Sequence, residues 1–313
     1  MQTRLAEFVR QHTSLIEEQL RRRLPESTLA GAGRLNEALH YVVATGGKRL
    51  RPLLTLASAA VFDVPASEAA ATACGVEYLH LSSVILDDLP AMDDAPMRRH
   101  MPTLHVAFDQ ATAILAALAL YTRAFELFAP HPALVCEAAE SVGSEGMIGG
   151  QAADLAGASP ARLRKTTALM RFALRAGGRL GNAQPPELEA LGRFGEVTGE
   201  AFQLCDDLLD ALASEQATGK TAGQDKRHNR QALAPDSEAR TVLARIGKLT
   251  DCAQAAVRRQ LPPGAGTDLL CDFAGAVLQY GTLLLYGNPA DSADAIAAGF
   301  GGRQRAPLAA DQA

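Results

Sequence analysis

Tryptophan is absent from the 313 residues, and aromatic side chains make up only 5%. With few rings and with Ala and Leu throughout, the composition favours helix over sheet, because Ala and Leu lose little on entering a helix. Alternation of β-branched residues and repeats of solenoid length are both missing. Cysteine is sparse. Cys74, Cys136, Cys205, Cys252 and Cys271 stand singly, without a CxxC pair, and read as reduced intracellular thiols. The chain has no basic surplus; a formal charge of −5 argues against general nucleic-acid binding but leaves local anion sites open. The longest apolar run, around residues 111–121, is too short for a membrane span. No apolar core follows the first charges, so residues 1–26 read as an amphipathic helix and not a signal peptide. A soluble, cytoplasmic chain is expected.

What is present is a series of apolar helical stretches cut by short Gly/Pro breaks. Leu5, Phe8, Val9, Leu15, Ile16 and Leu20 recur at helical spacing before Pro25. A second helix should end at Gly46-Gly47, and Pro52 sits near the start of a third. Residues 67–86 form a nearly continuous apolar helix running into Asp87-Asp88. Further helices are expected at 104–128, 134–154, 161–180, 187–212, 238–260 and 268–286. Residues 90–102 and 213–235 read as loops. The fold class is therefore all-α: a single large helical bundle over residues 1–300, its central helices buried all round, with a disordered tail at 301–313.

Two acidic clusters stand out. The first is DDLPAMDD at 87–94; the second is QLCDDLLD at 203–210. In the second, Asp206 and Asp210 share a helical face with Gln203 one turn earlier, between apolar neighbours. Carboxylates crowded at buried helix ends are costly unless cations offset them. One such motif alone is as well explained by a solvated acidic face; two are harder to dismiss. Donors that are all oxygen, with no His or Cys nearby, point to a hard cation such as Mg²⁺, which combines a few carboxylates with phosphate oxygens. Matching basic residues are present: Lys48, Arg49 and Arg51 at a helix start, and Arg98-Arg99 after the first cluster.

These residues resemble the trans-isoprenyl diphosphate synthase (polyprenyl synthetase) family over about residues 35–230. The motifs come in family order: GGKRLRP at 46–52, His80, DDLPAMDD at 87–94, RRHMPT at 98–103, GGQAADL at 149–155, Lys165-Thr166, FQLCDDLLD at 202–210 and GKTAGQD at 219–225. The four residues between Asp88 and Asp93 resemble the longer spacing of bacterial and plant geranylgeranyl diphosphate synthases. The resemblance implies that Asp87, Asp88 and Asp93 hold Mg²⁺ at the allylic diphosphate, and that Asp206, supported by Asp207 and Asp210, holds a further ion. Three ions with bound diphosphate are implied. It assigns Arg98, Lys165 and Lys220 to the allylic diphosphate, and Lys48, Arg51, His80 and Arg99 to isopentenyl diphosphate. Thr166 and Gln203 would face the developing allylic cation. Arg230 stands where the family has Lys, and His100 where it usually has Gly. A homodimer is implied as well.

The expected reaction is chain elongation of dimethylallyl, geranyl or farnesyl diphosphate by isopentenyl diphosphate. Ser82 and Ser83, five and four residues before Asp87, stand where an aromatic residue in relatives stops growth at C15; the expected product is C20. The alternatives are a farnesyl or C25 synthase, a class I terpene cyclase and a non-catalytic partner subunit. A cyclase has no use for Lys48, Arg51 and His80, and a partner subunit usually loses one acidic motif.

Overall fold

The computed structural model describes residues 2–158, 163–212 and 239–286, with the side chains at 2–3, 209–212 and 284–286 excepted. Lys220, Arg230, the whole 213–235 loop, the 301–313 tail and the Asp210 side chain lie outside the described residues.

The architecture is all-α. Helix α1 (Gln2–Arg22) turns Leu5, Val9, Ile16 and Leu20 inward, and Arg21 and Arg22 close its last turn, where cations suit the helix dipole. Helices α2 (Gly33–Ala44) and α3 (Leu50–Ala60) follow, then α4 (Ala66–Asp87). In α3, Leu53, Leu54 and Leu56 are fully enclosed; each such burial stabilises the fold by about 1.5–3 kcal/mol. Helix α4 has apolar residues on every side because it lies at the centre of the bundle, against α1, α3 and later helices. Its length and hydropathy alone would suit a membrane span, but 72% of that window is buried inside the bundle. Tyr78 ties α4 to α1 by donating its hydroxyl to the Leu20 carbonyl at 2.5 Å.

The expected helix 104–128 is broken in two. Helix α5 (Leu104–Ala107) stops, and Asp109 caps α6 (Gln110–Phe128) by accepting from the Thr112 N–H at 2.7 Å. The expected helix 134–154 also divides, into α7 (Pro132–Val142) and α8 (Met147–Leu155), at a break that carries Gly143 and Gly146. Helices α9 (Arg164–Leu180) and α10 (Pro185–Leu212) pack on each other, α9 also on α3 and α4. Helices α11 (Ala239–Gln260) and α12 (Ala265–Tyr286) close the far side. Phe128 and Phe172 meet edge to face at 5.3 Å, joining α6 to α9. All five cysteines are free.

The charged segment after α4 contains a small ribbon that the sequence pattern does not reveal. Strand β1 (Met97–Arg98) pairs antiparallel with β2 (Met101–Pro102). Arg99 and His100 form its two-residue turn with φ of 55° and 62°, the mirror-image turn that matches strand twist.

Candidate active site

The first acidic cluster is built on the end of α4. Asp87 is the last helical residue and Asp88 the C-cap. The loop then folds back: the Asp93 N–H donates to the Asp87 carbonyl at 2.9 Å, and the Ala95 N–H to the Asp88 carbonyl at 3.2 Å. Three aspartates thus collect where the helix dipole is itself negative, an arrangement that needs positive charge. Two cations meet it. Arg98 forks onto Asp88, its Nε 2.8 and 3.0 Å from the two carboxylate oxygens. Lys165 Nζ lies 3.2 Å from Asp87 and 3.4 Å from the buried Asp154. Burial still pushes the Asp87 carboxyl up to about 6, with Lys165 pulling it down and Asp93 pushing it up. Asp88 is raised too, chiefly by burial, against the pull of Arg98.

Asp154, in the GGQAADL motif, is the single acid of an otherwise apolar, glycine-rich helix. Gly150, one turn earlier, lets α8 close on the start of α9: a Cβ there would meet the Lys165 backbone nitrogen at 2.2 Å.

The second cluster lies on α10. Thr166, next to Lys165 on α9, donates its hydroxyl to the Gln203 side-chain oxygen at 2.9 Å. Gln203 in turn donates to Asp207 at 3.1 Å. Asp207 is buried and Asp206 half-buried. Two adjacent residues at the start of α9 therefore connect both acidic clusters.

A distinct basic group lies at the start of α3. Gly46 and Gly47 adopt φ of 71° and 145°, and Arg49 is left-handed at 46°. Arg49 is enclosed, donating to Glu17 and Glu77 at 2.8 Å each and to the Val43 carbonyl at 2.8 Å. This anchor leaves Lys48 and Arg51 to other neighbours. Lys48 Nζ lies 5.1 Å from the ring centres of both Phe202 and Tyr280. Arg51 keeps part of its surface open, but its Nε is enclosed and has no hydrogen-bond partner among the described residues. Burial lowers its pKa, while Glu77 and Asp206 draw it up. Arg99 donates to the Gly46 carbonyl beneath Gly47, and burial, then Arg49, bring it down to about 10. His80 is held well below its ordinary value by burial and by the positive charge of Arg51, Arg99, Arg98 and Arg49. It is neutral.

The structure thus brings together Asp87, Asp88, Asp93, Arg98 and Lys165 on one side, and Thr166, Gln203 and Asp207 on the other. Arg51 and Arg99 gather around His80, with Asp206 an electrostatic neighbour of Arg51, while Lys48 lies against Phe202 and Tyr280. Ser83 lies one turn below Asp87 on the same face of α4 and donates to the His80 carbonyl at 2.8 Å. Ser82 is buried, and helical geometry turns it away from that face. Among the described residues, no three His, Cys, Asp or Glu side chains converge on one point as a ready-made metal cage.

The helical bundle gathers two aspartate clusters around the start of α9, beside a separate group of basic residues. The chain belongs to the polyprenyl synthetase family, which residues 32–235 match. It is similar to geranylgeranyl pyrophosphate synthase 12 of Arabidopsis thaliana, at 38% identity over 223 residues, 64% of this chain and 61% of that relative. The match thus spans less than two thirds of the plant protein. It is also similar to the farnesyl diphosphate synthase of Geobacillus stearothermophilus, at 30% identity over 88% of this chain and 98% of the relative. Among solved structures, a geranyltransferase from Helicobacter pylori complexed with magnesium and isoprenyl diphosphate superposes with a TM-score of 0.71. It is 28% identical, and the match covers 88% of this chain and 96% of that one.

Proposed function

We propose that the chain is a chain-elongating trans-prenyltransferase that joins isopentenyl diphosphate to dimethylallyl, geranyl or farnesyl diphosphate and releases geranylgeranyl diphosphate. One observation carries the reading: Lys165 reaches the first acidic cluster and Thr166, through Gln203, the second, while Arg51 and Arg99 gather around His80 as a separate group of positive charge. Two sites suit two diphosphates. A class I terpene cyclase needs only one.

The donor set fits Mg²⁺. All candidate ligands are carboxylates, and an ion that shares its coordination with phosphate and water needs only one or two protein oxygens, not a closed cage. Asp87, Asp88 and Asp93 would hold ions on one side, and Asp206, Asp207 and Asp210 on the other, three in all with diphosphate bound. When bound, Mg²⁺ supplies charge neutralisation for the departing diphosphate.

The chain's own residues do the rest. Arg98 and Lys165, with Lys220 and Arg230, bind the allylic diphosphate and stabilise its charge as the C1–O bond breaks. Thr166 and Gln203 turn oxygens toward the allylic cation, and the apolar helices exclude water. Lys48, Arg51, Arg99 and neutral His80 hold isopentenyl diphosphate so that its double bond forms the new C–C bond at C1. One proton leaves, taken up by the released diphosphate.

A C20 product is supported by the small residue at Ser83, about 6 Å below Asp87 along α4 at 1.5 Å per residue. Ser83→Phe should move the main product to C15 without abolishing condensation; continued C20 synthesis by this variant would remove that support. Farnesyl diphosphate is the second reading, favoured by the near-complete match to the Geobacillus relative. We also propose a cytoplasmic homodimer. Free cysteines support the compartment. The outer face of α6, with Leu115 and Leu118 more than half exposed, supports the dimer. Sedimentation should give a dimer, and Leu115→Glu with Leu118→Glu a monomer.

A further inference from the structure

Lys48, Phe202 and Tyr280 are far apart in sequence and come from three elements: the turn before α3, helix α10 and helix α12. They meet in space. The Lys48 ammonium lies 5.1 Å from the Phe202 ring centre and 5.1 Å from that of Tyr280, within cation–π range of both. Tyr280 is 97% buried by its 3% exposure, so packing fixes its ring. Its hydroxyl has no hydrogen-bond partner among the described residues, so hydrogen bonding is not what orients it.

We infer that Phe202 and Tyr280 form an aromatic clamp, with Tyr280 a positioning residue that holds the Lys48 ammonium at the isopentenyl diphosphate site. The inference rests on the reading of that site given above. Lysine has a long flexible stem, and without a guide its head group samples many positions. Ring faces attract the ammonium through their quadrupole and bring no formal negative charge. They orient it without opposing the substrate. The clamp also makes the C-terminal helix part of the substrate site, although α12 supplies no basic residue to it.

The test uses three variants of the full chain. Tyr280→Leu removes the ring, Tyr280→Phe removes only the hydroxyl, and Lys48→Met removes the ammonium. The chain has five lysines, Lys48, Lys165, Lys220, Lys226 and Lys248, so the ε-methylene signals of ¹³C-lysine-labelled protein are few. The Lys48 signal, assigned by its loss in Lys48→Met, should be shifted upfield by ring currents in the wild type and in Tyr280→Phe. It should move toward the exposed-lysine position in Tyr280→Leu. Titration calorimetry should show isopentenyl diphosphate binding weakened about tenfold in Tyr280→Leu and within about twofold of wild type in Tyr280→Phe. Allylic diphosphate binding should be unchanged in both. Combining Tyr280→Leu with Lys48→Met should add little to Lys48→Met alone. An unshifted Lys48 signal in the wild type overturns the clamp. So does equal weakening of both diphosphates, or full additivity with Lys48→Met. If the wild type bound neither diphosphate, the site reading would fail, and the clamp would still stand or fall on the lysine shift.

Discussion

Lys165 and Thr166 are neighbours in sequence but reach opposite acidic clusters. Lys165 Nζ is 3.2 Å from Asp87, whereas the Thr166 hydroxyl donates to Gln203 at 2.9 Å, and Gln203 donates to Asp207. Their substitutions should therefore separate. Lys165→Met removes a charge-assisted contact and should raise KM for the allylic diphosphate about ten- to a hundredfold. Thr166→Val should lower kcat about tenfold with KM little changed, because its oxygen serves the reacting cation more than ground-state binding. Matching kinetic signatures for the two variants would contradict this division.

The buried Arg49 is structural. Its side chain is fully enclosed between Glu17 and Glu77. Arg49→Met would leave the enclosed Glu77 carboxylate without its cation and should cost about 3–5 kcal/mol of stability. Denaturant midpoints check this. A cost below about 1 kcal/mol would mean that the turn carrying Lys48 is held by something else.

His100 occupies a left-handed position, φ 62°, in the ribbon turn after the first cluster. A non-glycine residue there is strained by about 1–2 kcal/mol. His100→Gly should relieve that strain, less the entropy that glycine loses on folding, for a net gain of about 0.5–1 kcal/mol. Thermal unfolding should show a higher midpoint for the variant; a lower one would mean that the exposed imidazole makes a favourable contact.

Much of the fold was legible in sequence because its signals are local. Apolar periodicity marked α1, a nearly continuous apolar run marked α4, and Asp87-Asp88 fell at the end of α4, where helix and motif meet. Breaks made by a cap or a glycine within a helical pattern were not legible. Asp109 and the Gly143–Gly146 stretch each sit in a helix-compatible sequence, and only packing decides that the chain turns there. At the site, the motifs pointed to their residues in sequence, whereas Asp154 stood in a motif without a role, and Glu77 and Tyr280 stood in none. Each acts through a partner distant in sequence, and each resembles an ordinary residue of its own helix.

His80 gives a pH test with a defined sign. Burial and four arginines hold it well below the ordinary 6.5 in the folded protein. Above that value, folded and unfolded forms are both neutral, and His80 contributes no pH dependence. Below it, the unfolded chain takes a proton that the folded one refuses, so stability falls by about 1.4 kcal/mol per pH unit until the folded pKa is reached. His80→Asn should lose less stability than wild type between about pH 6.5 and about pH 5.5. Equal losses in the two proteins would place the acid-sensitive group elsewhere.

The central claim is that the paired diphosphate sites extend an allylic chain to C20. The direct measurement incubates the protein with Mg²⁺, radiolabelled isopentenyl diphosphate and farnesyl diphosphate, then chromatographs the dephosphorylated products. A single labelled C20 alcohol, abolished by EDTA, is the predicted result. No incorporation into farnesyl diphosphate, with geranyl diphosphate extended only to C15, would contradict the C20 assignment, and no incorporation with any allylic primer would contradict the account as a whole.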